Sequence, residues 1–259
     1  MNLAEPQPTA ADLNFSLGGI PVRVSPWFWA ASALFGWGLC QSLSGDNQRE
    51  LLRYLLAWIA VVFVSILVHE MGHALAYRAC GQSARIVLYH FGGLAIPERW
   101  GRRGASRPLE RMLIAAAGPL AQLTLAAVLV AVFWGSGYRI PFPLPEAGAW
   151  LGLDGGRKLP SMMVTAILFF LLEVNILWPL LNLVPVPPLD GGQIVREGLA
   201  TLGIGDAERL AGMLGLGAGA AVALWAYSRG ETYLAIMFVM LAVGCFQKLQ
   251  ESSPWRRWN

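Results

Sequence analysis

VHEMGHALAY, residues 68–77, sets two histidines and a glutamate in the last third of a stretch, 54–79, that otherwise reads as membrane-buried helix. His69 and His73 stand at i and i+4, one turn apart on the same face, so both imidazoles can reach a single metal ion. Glu70 points beside them, where it can contact a water held by the ion without being a ligand. Zinc held by two histidines needs a third protein ligand and one open position to be catalytic. On a soluble helix the H-E-x-x-H pattern alone would decide little, because it also arises by chance. Inside a bilayer each ionisable group near the centre costs on the order of 2.5–3.5 kcal/mol. Three together therefore point to an intramembrane metal site.

The rest of the chain supports the membrane reading. Of 259 residues, 56% are hydrophobic and only 14% charged, against about a quarter charged in soluble domains. Mean hydropathy is +0.51. The net charge of +3 is modest and gives no indication of nucleic-acid binding. Cys40, Cys80 and Cys245 lie far apart with no CxxC spacing, which indicates neither a disulfide framework nor a cysteine metal site. The first 26 residues lack a basic region followed by an apolar core, so no cleaved signal peptide is expected.

Apolar runs near the ~20 residues that cross a bilayer occur at about 27–43, 54–79, 111–134, 161–184, 208–227 and 232–247. Six spans place both termini on one side, together with the 80–110 and 185–207 loops. Thirteen of the nineteen Lys and Arg fall on that side, among them Arg78, Arg85, Arg99, Arg102, Arg103, Arg107, Arg256 and Arg257, and six on the other. The positive-inside bias then puts the termini in the cytoplasm. The second and fourth spans both run toward that face, so the histidines and the 182–192 segment that ends the fourth arrive at the same side of the membrane.

Three residues can supply the third ligand. His90 is the remaining histidine and lies in a loop-like stretch; Glu173 is mid-span in the fourth helix; Asp190 follows a proline-rich segment. Pro185, Pro187 and Pro188 forbid a continued helix, and Gly191 and Gly192 permit a sharp turn. Such backbone is tolerated at membrane depth only beside protein or a water-filled cavity. That geometry favours Asp190, with Glu173 next. Pro179 cannot donate to the carbonyl of Asn175, so that residue's backbone and side chain both offer hydrogen-bonding groups at one expected kink; helix–helix glue would explain an intramembrane asparagine equally well.

These residues resemble the site-2 proteases, intramembrane zinc metalloproteases. The family signature pairs HExxH on one membrane helix with a later Asn-x-x-Pro-x-x-Pro-x-Asp-Gly motif, here NLVPVPPLDGG at 182–192. AAAGPLAQ (115–122) and FGGLA (91–95) are similar to further family features, and the opening LGGIPVRVSPWFW (17–29) to the first strand and span of its compact prokaryotic members. The resemblance implies one zinc per chain on His69, His73 and Asp190, with Glu70 as general base and proton shuttle. It implies that Asn175 holds the substrate backbone or the developing oxyanion, and makes His90 a loop residue. The 85–96 stretch would form a strand-like, partly re-entrant element that pairs with an unwound substrate.

The implied fold is an all-α polytopic membrane protein of about six transmembrane helices. A three-helix catalytic core would combine with a short re-entrant β-like segment in a single membrane-embedded peptidase domain, 1–259. The 135–160 loop is too short for a PDZ-like insertion, and only ESSPWRRWN follows residue 250, so no CBS-type domain is expected. The implied substrate is a membrane protein with a transmembrane helix, entering laterally from the lipid bilayer between the first span and the last two. The implied setting is a bacterial inner membrane with the site toward the cytoplasm. Two rivals remain: a zinc transporter, disfavoured by three histidines in all and no visible inverted repeat, and a non-catalytic relative, for which both intact motifs give no reason.

Overall fold

The structure, a computed structural model, describes residues 7–45, 47–90, 92–98 and 107–251. Phe91, Arg99, Arg102, Arg103, Arg256 and Arg257 lie outside these. Four short strands and eight helices follow in order: β1 (Leu13–Leu17), β2 (Ile20–Val24), α1 (Pro26–Ser44), α2 (Gln48–Ala79), β3 (Ala84–Tyr89), β4 (Gly92–Pro97), α3 (Pro108–Gly135), α4 (Pro145–Trp150), α5 (Met162–Asn182), α6 (Asp190–Thr201), α7 (Ala207–Ser228) and α8 (Thr232–Glu251). Among the described residues, α2, α3, α5, α7 and α8 are long and apolar enough to cross a membrane; α1 is not among them.

Helix α2 is the axis of the fold and starts six residues before the predicted span. Asn47 caps it, its side chain accepting from the backbone N–H groups of Arg49 and Glu50, which satisfies two donors left open at any helix start. Phe28, Ser32, Gly36 and Cys40 make a buried stripe along α1 at i, i+4 spacing. Gly36 lies so close to the Trp58 indole that a Cβ would collide with it, and Trp58 Nε1 donates to the Ser32 carbonyl at 2.9 Å.

The sequence leads to an expectation of a strand within 17–29 and a short strand-like segment at 85–96 in an otherwise all-α protein. The structure instead has a four-stranded sheet in the order β1-β2-β3-β4, with β2 and β3 parallel and the outer pairs antiparallel. Val22, Val24, Ile86 and Leu88 pack with Phe28 of α1 and Ile66 and Ala74 of α2. Val87, Leu88 and Tyr89 are all buried, so β3 is covered on both faces. Such a strand shows no apolar–polar alternation, which is why its pattern reads so poorly from sequence. Among the described residues, only β3 pairs with β4.

One expectation about the end of the fourth span changes in detail. Pro179 sits inside α5, and the helix runs on to Asn182. Gly191 and Gly192 do not make a turn; they form the first turn of α6, which opens at Asp190. The bends come earlier, where Val186 N–H donates to the Val184 carbonyl and Leu189 N–H to that of Val186. Helix α6 is tied to α3 by Glu197, whose carboxylate lies 2.7 Å from both Arg111 and Arg196.

Candidate metal centre

One turn of α2 and the first residue of α6 meet at a single point. His69 Nε2 lies 3.1 Å from His73 Nε2 and 3.1 Å from Asp190 Oδ2, and His73 Nε2 lies 3.4 Å from Asp190 Oδ1. His69 and His73 are buried. Among the described residues these three are the His, Cys, Asp or Glu side chains that bring their ligand atoms within 4.8 Å of one another.

The opposite ring nitrogens decide where the protons are. His73 Nδ1 is 2.7 Å from the Ile114 carbonyl oxygen, which can only accept, so Nδ1 donates. His69 Nδ1 is 2.8 Å from Gln122 Oε1. The amide orientation of Gln122 is fixed because its Nε2 donates to the Ser65 carbonyl at 3.2 Å, so His69 Nδ1 donates as well. In the neutral imidazoles both Nε2 atoms then present bare lone pairs to each other and to a carboxylate. In that form three acceptors converge. A cation satisfies that arrangement, and a tetrahedron with bonds of about 2.0–2.1 Å has edges of about 3.3 Å, close to the spacing found. The donor set of two imidazoles and one carboxylate fits zinc.

Local sequence explains why the three meet. Gly118 of α3 lies against the His73 ring, and Gly72 of α2 lies against the backbone of Ala117, so the two helices approach where side chains would hold them apart. Gly191 abuts the backbone of Leu183 and Val184, and Gly192 that of Val186 and Pro187. Any Cβ at either position would push α6, and Asp190 with it, off the proline segment.

Glu70 is buried beside the histidines. Its carboxylate is turned toward the backbone of Ala95 in β4 and rests against Gly93, where a Cβ would collide with it. Asn175 is fully buried; its amide donates to Ser65 Oγ at 2.7 Å and to the Leu171 carbonyl at 2.8 Å. Its Oδ1 has no partner among the described residues. Turning the amide over would set Oδ1 against the Leu171 carbonyl, so the orientation is determined.

Glu173 stands apart from this cluster, with one carboxylate oxygen buried and unpartnered. His90 is exposed at the β3–β4 turn, its ring edge-on to Tyr89. Neither is brought to the histidines. Gln122 and Ser65 are the residues that motif reading missed. The available signal was a polar side chain inside each of two apolar spans, which in a bilayer calls for a named partner.

The family model described as Peptidase family M50 matches residues 57–225. A Synechocystis protein provisionally named a zinc metalloprotease is 32% identical over 191 residues, covering 70% of this chain and 42% of that one. Rip3 of Mycobacterium tuberculosis, also provisionally named a zinc metalloprotease, is 32% identical over 168 residues, covering 63% of this chain and 37% of its own. The chain thus spans about two-fifths of the length of the curated relatives it matches. The solved site-2 protease from Methanocaldococcus jannaschii shares the fold, with a TM-score of 0.51 at 19% identity, over 92% of this chain and 95% of that one.

Proposed function

The chain belongs to peptidase family M50, and from that premise we propose that it is an intramembrane zinc metalloprotease cutting peptide bonds within or near transmembrane segments of membrane proteins. The observation that carries the reading is the convergence of two imidazole Nε2 atoms and a carboxylate at spacings of 3.1, 3.1 and 3.4 Å. His69, His73 and Asp190 would hold one zinc ion per chain. Zinc there supplies a Lewis acid that polarises a peptide carbonyl and makes a water acidic enough to attack near neutral pH.

The chain's own groups do the rest. Glu70 takes the proton of the attacking water and returns it to the leaving amine; its packing against Gly93 holds the carboxylate for both transfers. Asn175 has both amide hydrogens engaged within the protein and its Oδ1 free. It therefore receives a substrate N–H more readily than it donates to an oxyanion. The far side of β4, which no described strand pairs, lies beside Glu70 and suits an unwound substrate added as a fifth strand.

In the finer reading α1 is a sixth span, and residues 1–259 form one membrane-embedded peptidase domain. The termini and site face the cytoplasm of a bacterial inner membrane, following the distribution of Lys and Arg. A zinc transporter would want several exchangeable sites along a path, and the described residues contain one such cluster.

Purified wild-type and Glu70→Gln proteins, assayed for zinc content and for cleavage of a transmembrane peptide in detergent, test the reading. The substitution is expected to keep the zinc and abolish cleavage. Full cleavage by Glu70→Gln would remove Glu70 from the mechanism, and loss of zinc would make it a ligand.

A further inference from the structure

We propose that the α7–α8 hairpin sets the position of Asp190, and with it the metal affinity, by gripping the proline segment between Gly215 and Cys245. The inference rests on the reading of Asp190 as a metal ligand. Gly215 faces that segment without a side chain: a Cβ there would lie 2.8 Å from Pro187 Cδ, 3.2 Å from the Pro185 carbonyl oxygen and 3.2 Å from Cys245 Sγ. From α8, Cys245 Sγ donates to the Pro187 carbonyl at 3.7 Å. Val186, between the two prolines, is fully buried and packs with Ala223 of α7 and with Phe238 and Cys245 of α8. The segment is wedged into the hairpin.

Its other side is fastened to the metal centre. Pro187 lies directly against Gly192 in the first turn of α6, the turn that begins with Asp190. Proline fixes φ, so a displacement of Pro187 is passed along the chain rather than absorbed by backbone rotation. Helices α7 and α8 pack along each other, and α7 also meets α6. A shift of the hairpin therefore reaches Asp190 by two contacts and three residues of stiff chain. Gly215 and Cys245 are positioning residues in this scheme, acting on the metal through the segment they hold.

The same helix supplies internal controls. A Cβ at Gly219 would meet Ala242 of α8 at 3.2 Å and disturb hairpin packing without touching the prolines, and one at Gly217 would meet nothing within 4 Å. Full-length Gly215→Ala, Gly219→Ala, Gly217→Ala, Cys245→Ala and Asp190→Ala proteins are purified in detergent. Zinc affinity is measured by competition with a chromophoric chelator, and the d–d spectrum is recorded after loading with Co²⁺. Gly215→Ala is expected to weaken zinc by about tenfold or more, as supporting contacts of metal ligands do, and to shift the cobalt bands. Cys245→Ala removes the grip without adding bulk and moves affinity the same way, which keeps the test open if Gly215→Ala fails to fold. Gly219→Ala and Gly217→Ala should match wild type. Wild-type affinity and spectra in Gly215→Ala and Cys245→Ala, with metal lost in Asp190→Ala, would overturn the coupling alone. Equal losses in Gly219→Ala and Gly215→Ala would reduce it to general packing. Retention of metal by Asp190→Ala would overturn the underlying ligand assignment.

Discussion

Gln122 Oε1 of α3 lies 2.8 Å from Nδ1 of His69 on α2, and Gln122 Nε2 reaches back to the Ser65 carbonyl one turn before that histidine. Ser65 Oγ in turn receives the Asn175 amide. One buried chain of hydrogen bonds thus fixes a metal-facing imidazole and the asparagine assigned to the substrate. In Gln122→Leu the Nδ1–H of His69 loses its acceptor and the ring loses its orientation. Zinc affinity measured by chelator competition should fall by about 10- to 100-fold, with helix content unchanged by circular dichroism. Unchanged affinity would show that His69 is oriented by its packing alone.

Substitutions at two glycines should separate metal binding from proton transfer. Gly118 touches His73 and Gly93 touches Glu70. Gly118→Ala should lose zinc, whereas Gly135→Ala, in the same helix but facing open space, should keep it. Gly93→Ala should retain zinc and lower kcat, because the Glu70 carboxylate is what the new Cβ meets first. Zinc loss in Gly93→Ala would contradict the division of roles between Glu70 and the ligands.

How legible this site was depended on distance along the chain. His69, Glu70 and His73 lie within one turn, where helical spacing alone places them together. Asp190 could be ranked first among three candidates because prolines and glycines constrain its segment so strongly. Gln122 and Ser65 were hidden because a hydrogen-bond partner 57 residues away leaves no periodic trace. The sheet was hidden for another reason. β3 is buried on both faces, and its parallel partner β2 lies on the far side of α1 and α2 in sequence, so neither alternation nor a hairpin signal announces it. Even Gly118 and Gly93 stood in motifs noted for resemblance, but the reason for each is a contact made by a different helix.

Helix α6 carries Asp190, and its anchor to α3 gives a pH prediction outside the spans. Burial alone would push the Glu197 carboxyl up, but hydrogen bonds and charge from Arg111 and Arg196 outweigh it and hold it below its ordinary value of 4.5. A depressed folded-state value stabilises above the unfolded value and loses that contribution as pH falls through the folded one. The thermal midpoint of the wild-type protein in detergent should therefore fall on acidification below about pH 4.5. Glu197→Gln should lower the midpoint at pH 7 and flatten the acid limb, with a cost of about 1–3 kcal/mol for the lost charged hydrogen bonds. Identical acid limbs in the two proteins would show that Glu197 does not anchor α6.

The convergence of His69, His73 and Asp190 on one ion is tested most directly by X-ray absorption at the zinc edge on the purified, zinc-loaded protein. The expected spectrum has a first shell of nitrogen and oxygen at about 2.0–2.1 Å, with the outer scattering of two imidazoles and no sulfur. A sulfur shell, or the scattering of fewer than two imidazoles, would contradict the assignment.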